Sequence, residues 1–317
     1  MAKSRVFAAV DLGGTNTLLG LLSEKGEVLE RLEVPTTVED GYEVVVDRIA
    51  DGLRLMIGSR SVVGIGVGAP GPLDAERGVI IESPNLEGFD NRPLATDLAK
   101  KCELPVFLEN DANAAALGES WVGAGREARD LIVLTVGTGI GGGLILGGRL
   151  YRGSAFSAGE VGHMTIEPNG PVCACGNQGC LEVLASAPAM AARAREKVQK
   201  GFETRMLDLA GGDPAAISAE TVSLACEEDD PVALRVLEES GRYLGIGTAN
   251  LINVLNPQLV LFGGGGARAG ESLLVPIRKE VERRSFAGLR ACAEIGPCTL
   301  GNDAGLIGAA RVAMEGS

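Results

Sequence analysis

The chain has 317 residues, of which 45% are hydrophobic and 3% aromatic, and its formal net charge at pH 7 is −13. This length suits two domains of ordinary size, and the apolar content suffices for a core in each. The negative charge argues against a phosphate-backbone partner, and the scarcity of aromatic residues argues against stacking on single-stranded nucleic acid. We therefore expect no nucleic-acid partner.

No apolar stretch reaches the roughly 18 residues that a membrane span needs, because glycine or a charge interrupts each one. The leading residues MAKSRVFAAVDLGG lack a cleavage-type spacer, so we expect no secretory signal. We expect a soluble, cytoplasmic protein with no membrane partner. In a reducing cytosol, clustered cysteines are more often metal ligands or catalytic thiols than disulfides.

The first segment, VFAAVDLGGTN at residues 6–16, predicts a buried strand that runs into a glycine turn. TLLGLLSEKGEVLERLEV continues as two strands around a hairpin at Lys25-Gly26. Residues 40–57 have apolar side chains at helical spacing and predict a helix capped by Asp40. We then expect strands at 62–67, 78–82 and 105–110 and a helix near 93–101, an α/β alternation.

The opening pattern returns in LIVLTVGTGIGGGLILGGRLY, which begins at residue 131 and predicts an internal repeat, one copy per domain. Gly137, Gly139 and Gly142 satisfy the dinucleotide fingerprint G-x-G-x-x-G, but that fingerprint requires a helix after the turn. LILGGRLY predicts a strand, so we expect no nicotinamide site. Residues 183–255 look mostly helical, and LVLFGGGGARAGESLL predicts a strand, a four-glycine turn and a helix start.

Both glycine turns carry a threonine, as in Gly13-Gly14-Thr15 and Thr138-Gly139. Such turns suit a phosphate clamp, because glycine lets backbone amides approach the anion and threonine adds a hydroxyl donor. The alternative for each is an ordinary tight hairpin. Asp11 ends the first strand, and it is either a carboxylate that holds Mg²⁺ through water or a solvated turn aspartate.

The segment ENDANAAALGE, residues 109–119, puts Asn110 and Asp111 at the carboxyl end of a strand and just before an alanine-rich helix. Open α/β sheets bind their ligands at this edge. Two interpretations of Asp111 stay open here. It is the N-terminal cap of the helix, or it is a general base.

Three of the seven cysteines, Cys173, Cys175 and Cys180, lie within eight positions and share a segment with His163, the only histidine. Three sulfurs and one nitrogen make a closed tetrahedral zinc site, which is structural rather than hydrolytic. The alternatives are a redox or disulfide device, or unlinked buried cysteines and a satisfied histidine. Gly176 and Gly179 let the backbone fold around an ion. The other cysteines are interpreted as small core residues: Cys102, Cys226, Cys292 and Cys298.

Several of these segments, taken together, resemble the ROK family (repressor, open reading frame, kinase) of sugar kinases, of the bacterial glucokinase type. They are DLGGTN, LTVGTGIGGG, ENDANAAALGE, GEVGH with CACGNQGCLE, and LVLFGGGG. The resemblance spans residues 6 to about 308. It implies the actin-like ATPase (ribonuclease H-like) fold, with two domains, duplicated strand–turn–strand phosphate loops and an interdomain cleft. It also implies a small α/β domain over 1–114 completed by a C-terminal helix at 300–317, and a large α/β domain over 115–299 that holds the zinc loop and the adenosine site.

In such kinases the aspartate at Asp111 binds the sugar and takes the proton from its 6-hydroxyl as that oxygen attacks the γ-phosphate of ATP. The resemblance further implies Mg²⁺ and a structural Zn²⁺ held by His163, Cys173, Cys175 and Cys180. The implied sugar ligands are Asn85, Asn110, Glu160, His163 and Glu182; the implied nucleotide residues are Asp11, Gly13, Gly14, Thr15, Asn16, Thr138, Gly139, Gly264 and Gly265. Asn16 stands where the family often has lysine, which would put more of the γ-phosphate charge on Mg²⁺ and backbone amides.

The expected activity is therefore ATP-dependent phosphorylation of glucose to glucose 6-phosphate, by a homodimer serving glycolysis and carbohydrate metabolism. The alternatives are another ROK sugar kinase, such as an N-acylmannosamine kinase or fructokinase, a sugar-responsive repressor, or a non-catalytic sugar-sensing protein. The family's repressors carry a helix-turn-helix ahead of the first phosphate loop, and that loop begins here by residue 11, leaving no room. We further expect zinc to fold a loop whose two ends deliver Glu160, His163 and Glu182 to the sugar.

Overall fold

The computed structural model describes residues 5–83 and 86–317 and divides into two compact units. The first unit comprises Met1–Ala128, Gly143–Gly159 and Thr299–Ser317, and the second comprises Arg129–Gly142 and Glu160–Cys298. Among the helices of the described chain, none has the length and hydropathy of a membrane span.

The main sheet of the first unit has the strand order β3-β2-β1-β4-β7. A meander of antiparallel strands, β1 to β3, occupies one side, and β4 and β7 extend the sheet in parallel with β1. A two-stranded ribbon, β5-β6, stands apart. The strands are β1 (Val6–Leu12), β2 (Asn16–Ser23), β3 (Val28–Pro35), β4 (Val62–Ala69), β5 (Leu73–Asp74), β6 (Val79–Ile80) and β7 (Val106–Asn110).

The second five-stranded sheet repeats this order as β10-β9-β8-β11-β12, again with the last two strands parallel to the first of the set. The duplicated strand order predicted from the sequence is therefore confirmed. A strand, and not a helix, follows the second glycine turn, as predicted. The strands are β8 (Leu131–Val136), β9 (Ile140–Leu146), β10 (Arg149–Leu150), β11 (Leu259–Gly263) and β12 (Glu294–Pro297).

The helices predicted at 40–57 and 93–101 are confirmed within two residues, but the predicted cap is wrong. Gly41 precedes the first helix with φ 87°, and Asp40 lies in a 3-10 turn where its carboxylate pairs with Arg48. The helices are α1 (Tyr42–Ile57), α2 (Leu94–Cys102), α3 (Asp111–Trp121), α4 (Leu181–Ala185), α5 (Ala187–Gln199), α6 (Arg205–Leu209), α7 (Ala219–Glu227), α8 (Pro231–Leu255), α9 (Glu271–Arg284), α10 (Ala287–Arg290) and α11 (Ala304–Gly316).

Two hydrophobic clusters cover the two faces of the first sheet, because alternate residues of β1 point to opposite sides. Ala8 and Val10 face α1 and α2, whereas Phe7 and Ala9 face α11. In the second unit, α8 is the central helix, and α4, α5, α7 and α9 all pack against it. The glycine turns therefore lie at the ends of strands, at the edges of the packed layers.

Helices α3 and α11 approach very closely, and glycine makes this possible. A Cβ added at Gly308 of α11 would lie 1.6 Å from the carbonyl oxygen of Ala114, and one at Gly118 of α3 would lie 2.4 Å from that of Ala304. This contact accounts for the alanine- and glycine-rich sequences of both helices. Residue 114 falls inside α3, which packs on α11, and both helices belong to the first unit.

Candidate functional site

The first glycine turn joins β1 to β2, and hydrogen bonds from Thr36 fix its backbone. The amide of Gly13 donates to the carbonyl of Asn16 at 3.1 Å, and a Cβ at Gly13 would lie 2.6 Å from that oxygen. The Thr36 hydroxyl donates to the Gly13 carbonyl at 2.7 Å, and its amide donates to the Thr15 carbonyl at 2.8 Å. Thr15 and Asn16 are exposed, so the outer side of the turn is open to a ligand.

Asp11, at the end of β1, is not an ordinary solvated turn residue. Burial, with a contribution from the negative charge of Asp111, raises the pKa of its carboxyl from 3.8 to about 7. The start of α11 closes over it, since a Cβ at Gly305 would lie 2.5 Å from its Oδ2. Asp11 has intermediate exposure, so it is not a fully solvated turn aspartate. The first unit holds two carboxyls, Asp11 and Asp111, near enough to repel each other.

Asn110 is the N-terminal cap of α3. Its Oδ1 accepts from the amides of Ala112 at 3.0 Å and Asn113 at 3.2 Å, and its backbone has the extended dihedrals of a cap, φ −65° and ψ 145°. Its Nδ2 makes a long hydrogen bond of 3.4 Å to the carbonyl of Gly71. Asp111 is the first helical residue, half-buried, so the interpretation of Asp111 as the cap is wrong.

The three cysteines and the histidine of the second unit form one cluster in which all four ligand atoms lie within 4.8 Å of one another. Cys173 Sγ is 3.8 Å from His163 Nδ1, and Cys175 Sγ is 3.7 Å from Cys180 Sγ. A tetrahedron with Zn–S bonds of about 2.3 Å has S–S edges of about 3.8 Å, so the donor set and its spacing fit zinc. All three thiols are free, so no disulfide joins them, and their gathering with His163 into one cluster argues against unlinked buried cysteines.

The backbone around this cluster bends as the glycines allow. Gly176 has φ 86° and Gly179 has φ 67°, and a Cβ at Gly179 would lie 1.6 Å from the carbonyl oxygen of Glu167. Burial raises the pKa of the Cys180 thiol to about 12, and a hydrogen bond from the backbone of Asn177 lowers the pKa of the exposed Cys175 thiol. A metal must therefore displace at least one firmly held proton, because the thiolate is the ligand.

Glu160, His163 and Glu182 all belong to the second unit, at the two ends of the metal-binding segment. With Nδ1 of His163 facing the sulfurs, its Nε2 lies on the other side, 3.9 Å from Oε2 of Glu160. Oε2 of Glu182 accepts from the amide of Ile140 at 2.9 Å, and a Cβ at Gly139 would lie 2.3 Å from it. The Glu182 carboxylate therefore sits directly against the second glycine turn.

The four-glycine turn after β11 packs against the end of β8 in the same unit. Gly264 has φ 83°, and a Cβ there would lie 2.5 Å from the carbonyl oxygen of Val136. Gly264, Gly265 and Thr138 are exposed. The Ala187 amide donates to the Gly137 carbonyl at 3.0 Å and fixes the neighbouring turn. Two glycine-rich turns thus end adjacent parallel strands, the arrangement in which α/β sheets bind ligands.

Comparison with known proteins accounts for this combination of turns, carboxylates and cluster. The ROK family matches residues 7–315. The chain belongs to the ROK family. It is 40% identical over 306 residues to a glucokinase of Thermotoga maritima, covering 96% of both chains. A ROK family glucokinase of Streptomyces griseus, solved with glucose and AMPPNP, is 36% identical with a TM-score of 0.88, covering 98% of this chain and 99% of that one.

The same ROK scaffold also occurs in a regulator. A ROK family transcriptional regulator, homologous to the E. coli MLC protein, is 28% identical with a TM-score of 0.88 and covers 98% of this chain, which spans 78% of that one. Family membership establishes the actin-like ATPase fold, with its two domains and mixed sheets. The predicted fold class and family are therefore confirmed.

The sequence did not reveal the roles of two buried carboxylates, which are the first and last residues of the ROK segment ENDANAAALGE. Glu109 is 1% exposed and contacts Arg152, while Glu119 is 0% exposed. Oε1 of Glu119 accepts from the amides of Thr299 at 2.8 Å and Leu300 at 2.9 Å, where the chain re-enters the first unit. An acidic residue on an otherwise apolar helix was the available signal. Asn85, the remaining predicted sugar ligand, lies outside the described residues.

Proposed function

We propose that this ROK chain is an ATP-dependent glucokinase, which transfers the γ-phosphoryl group of ATP to the 6-hydroxyl of glucose and releases glucose 6-phosphate and ADP. Its support is the identity of 37–40% to glucokinases over most of both chains. The observation that carries the chemistry is local: Asn110 is the cap of α3, and the Asp111 carboxylate, whose Oδ1 accepts from the adjacent Ala112 amide at 2.8 Å, lies half-buried at the carboxyl end of β7. That carboxylate is proposed as the general base.

In this proposal Asp111 accepts the proton of the attacking hydroxyl, and the two glycine turns hold the phosphates. Phosphoryl transfer depends on positioning and charge neutralisation more than on covalent chemistry, and a positioned base adds roughly 10²–10⁴-fold to the rate. Backbone amides of the first turn, backed by Thr36, and the exposed hydroxyls of Thr15 and Thr138 are the proposed phosphate donors. Gly264 and Gly265 are proposed to lie against the adenosine.

The remaining sugar hydroxyls are assigned to Asn110, Glu160, His163 and Glu182, together with Asn85. Asn110 can offer only its Nδ2 side, because its Oδ1 caps the helix. Nε2 of His163 is the ring nitrogen that remains for a hydroxyl when Nδ1 binds the metal. Glu182 would bind a sugar hydroxyl while its Oε2 accepts from the Ile140 amide. The same carboxylate would therefore contact both the sugar and the second glycine turn, which is proposed to bind phosphate.

Two metals belong to the proposal. Zn²⁺ fits the cluster of His163, Cys173, Cys175 and Cys180 by donor type and spacing. Asp11 is the proposed carboxylate for Mg²⁺, which supplies charge neutralisation to the transferring phosphoryl group when bound. Because the Asp11 carboxyl has a pKa of about 7, it must give up a proton to become a metal ligand.

The test is a coupled assay of ADP release with Mg-ATP against glucose, fructose, mannose and N-acetylmannosamine, run on the wild type beside Asp111→Asn. We expect glucose to give the highest kcat/KM, and the variant to lose kcat by at least ~100-fold while it still binds glucose in calorimetry. A different leading hexose would change the substrate and keep the mechanism. Binding of glucose without turnover by the wild type would refute the kinase and leave a sugar-sensing protein. Polyphosphate in place of ATP tests the donor.

We also propose that the enzyme is a cytoplasmic homodimer, on the resemblance to its family. Reduced thiols are a requirement of the cysteine cluster, since only thiolates bind the metal, and the cytosol keeps them reduced. Sedimentation equilibrium over a concentration series gives the assembly state, and a mass of one chain throughout would refute the dimer.

A further inference from the structure

The first unit contains a buried anion that the proposed chemistry does not use. Glu109 is the penultimate residue of β7 and directly precedes Asn110 and Asp111, and its side chain is 1% exposed. Oε1 accepts from the amide of Asn110 at 3.0 Å and from Nδ2 of Asn113 at 2.9 Å, and Oε2 accepts from Nε of Arg152 at 2.6 Å. The carboxylate therefore touches the residue before Asp111 and the residue two positions after it.

Asn113 depends on this carboxylate for its orientation. It is 2% exposed, and within the described part of the chain its Oδ1 is buried without a hydrogen-bond partner. The side-chain amide of Asn113 donates from its Nδ2 to the carboxylate of Glu109. Since an amide turned the other way would aim its oxygen at a carboxylate, the charge on Glu109 selects the observed orientation. The first turn of α3 is thus fixed on its inner side by one anion.

Arg152 supplies the counter-charge from a different part of the chain. It follows β10, and its carbonyl accepts from the amide of Ala158 at 3.0 Å, which closes a loop over residues 152–158. Gly153 makes the turn with φ 70°. Two residues beyond Ala158, the chain passes into the second unit at Glu160, a proposed sugar ligand. One ion pair therefore fixes both the base turn and the start of this loop.

We propose that Glu109 and Arg152 form a positioning pair for phosphoryl transfer. The pair holds Asn110 and Asp111 in the geometry that the proposed base requires, and it ties the 152–158 loop to that turn. Neither side chain is assigned a contact with substrate. This inference rests on the proposed kinase activity, and it assigns a role to two residues that the activity itself does not explain.

The energetics favour a pair that acts on catalysis as well as on stability. A buried charge that loses its partner is strongly unfavourable, so the structure around Glu109 must rearrange when Arg152 is truncated. The nearest groups able to move are those the carboxylate holds, Asn110 and Asn113, on either side of Asp111. A displacement of about 1 Å at a catalytic group costs on the order of 100-fold in rate.

The experiment compares Arg152→Met, Arg152→Lys, Glu109→Gln and the double variant Glu109→Gln/Arg152→Met with the wild type. We expect Arg152→Met to lower kcat by roughly 10- to 100-fold, to raise the KM for glucose less, and to leave the KM for Mg-ATP unchanged. Arg152→Lys, which keeps the charge, should recover most of the loss. The double variant should be no worse than Arg152→Met, because the two side chains act as one unit.

The matched control is Arg60→Met, which removes an arginine from an exposed pair with Glu30 in the same unit, at 2.7 Å. It should leave kcat unchanged. Each variant is assayed well below its Tm, so that loss of folded protein does not count as loss of rate. If Arg152→Met does not fold, Arg152→Lys and Glu109→Gln decide, with Glu109→Gln expected to lose at least ~10-fold in kcat.

Three results would overturn the inference: a kcat for the folded variants within twofold of the wild type, a loss in Arg152→Lys equal to that in Arg152→Met, or additive losses in the double variant. These are distinct from failure of the proposed function. A wild type that never releases ADP with any hexose removes the kinase and the inference together, whereas an active wild type with unaffected variants removes only the positioning pair.

Discussion

The raised pKa of Asp11 predicts that replacing it by asparagine stabilises the first unit, and more so as the pH rises. The carboxyl titrates at about 7 in the folded chain against 3.8 otherwise. Between those values the folded state keeps a proton that the unfolded state releases, so the wild type loses stability as the pH rises through this window. Asparagine has no charge to bury, so Asp11→Asn does not lose stability in this way as the pH rises.

The magnitude follows from the two pKa values. At about 1.36 kcal/mol for each pH unit, the full difference corresponds to ~4 kcal/mol, an upper bound that is reached near pH 8. Roughly 1.5 kcal/mol of it has already accrued at pH 5, so the advantage of Asp11→Asn grows by up to ~2.5 kcal/mol between pH 5 and pH 8. Asp11 is only partly shielded from solvent, which reduces these figures, and we expect growth of at least ~1 kcal/mol.

The assay is urea unfolding at pH 5, 6, 7 and 8 without nucleotide or added Mg²⁺, followed by the fluorescence of Trp121. It is the only tryptophan and it lies in the first unit, so the signal reports the unit that contains Asp11. Glu24→Gln, at an exposed position of the same unit, is the control and should give a flat difference. An advantage of Asp11→Asn that is constant with pH, or that shrinks as the pH rises, would refute the reasoning. Asp111→Asn should show a smaller gain of the same sign, because the charge of Asp111 is the second cause.

Three further variants test close contacts. Gly139→Ala places a Cβ 2.3 Å from Oε2 of Glu182 and should raise the KM for glucose about 3- to 10-fold. The control Gly137→Ala, which has open space at its Cβ, should raise this KM far less. Equal effects of the two variants would contradict the assignment of Glu182 as a sugar ligand. Gly308→Ala, whose Cβ would lie 1.6 Å from the α3 backbone, should lower the free energy of unfolding by ~1–3 kcal/mol or more in urea titrations. An unchanged Tm would show that α3 and α11 can move apart to admit the methyl group at no cost in stability. Cys175→Ser should lose zinc by metal analysis and raise the KM for glucose while leaving the far-UV spectrum largely intact; an unchanged KM in the zinc-free variant would separate the cluster from sugar binding.

The cysteine cluster could be predicted from the sequence because its ligands are close in the chain. Cys173, Cys175 and Cys180 lie within one short segment whose glycines already indicate the turns, and His163 is ten residues upstream of Cys173. The same holds for the glycine turns at strand ends, where local residue type determines backbone shape. The duplicated strand order followed from the recurrence of one such local pattern.

The partners of the buried carboxylates could not be predicted, because they come from distant parts of the chain. Glu109 pairs with Arg152, 43 residues away, and Glu119 accepts the amide of Thr299, 180 residues away. The sequence indicated only that an acidic residue occupied an apolar surface. The cap of α3 was ambiguous for a different reason, since Asn110 and Asp111 are both good caps. The extended backbone of Asn110 and the two amides that its Oδ1 accepts identify it as the cap.

The segment ENDANAAALGE runs from the end of β7 through most of α3 and contains three carboxylates, whose surroundings differ. Glu109 is buried against Arg152, and Glu119 is buried among backbone amides, so both anions are compensated by fixed partners inside the unit. Asp111 is the only one of the three with intermediate exposure. A general base must come within hydrogen-bond reach of the proton that it accepts, and a carboxylate whose oxygens already bind partners inside the unit is less able to do so. In the proposed mechanism Glu109 fixes the start of α3 beside Asp111, and Glu119 fixes its far end against Thr299 and Leu300. Asp111 is left as the carboxylate proposed to accept a proton.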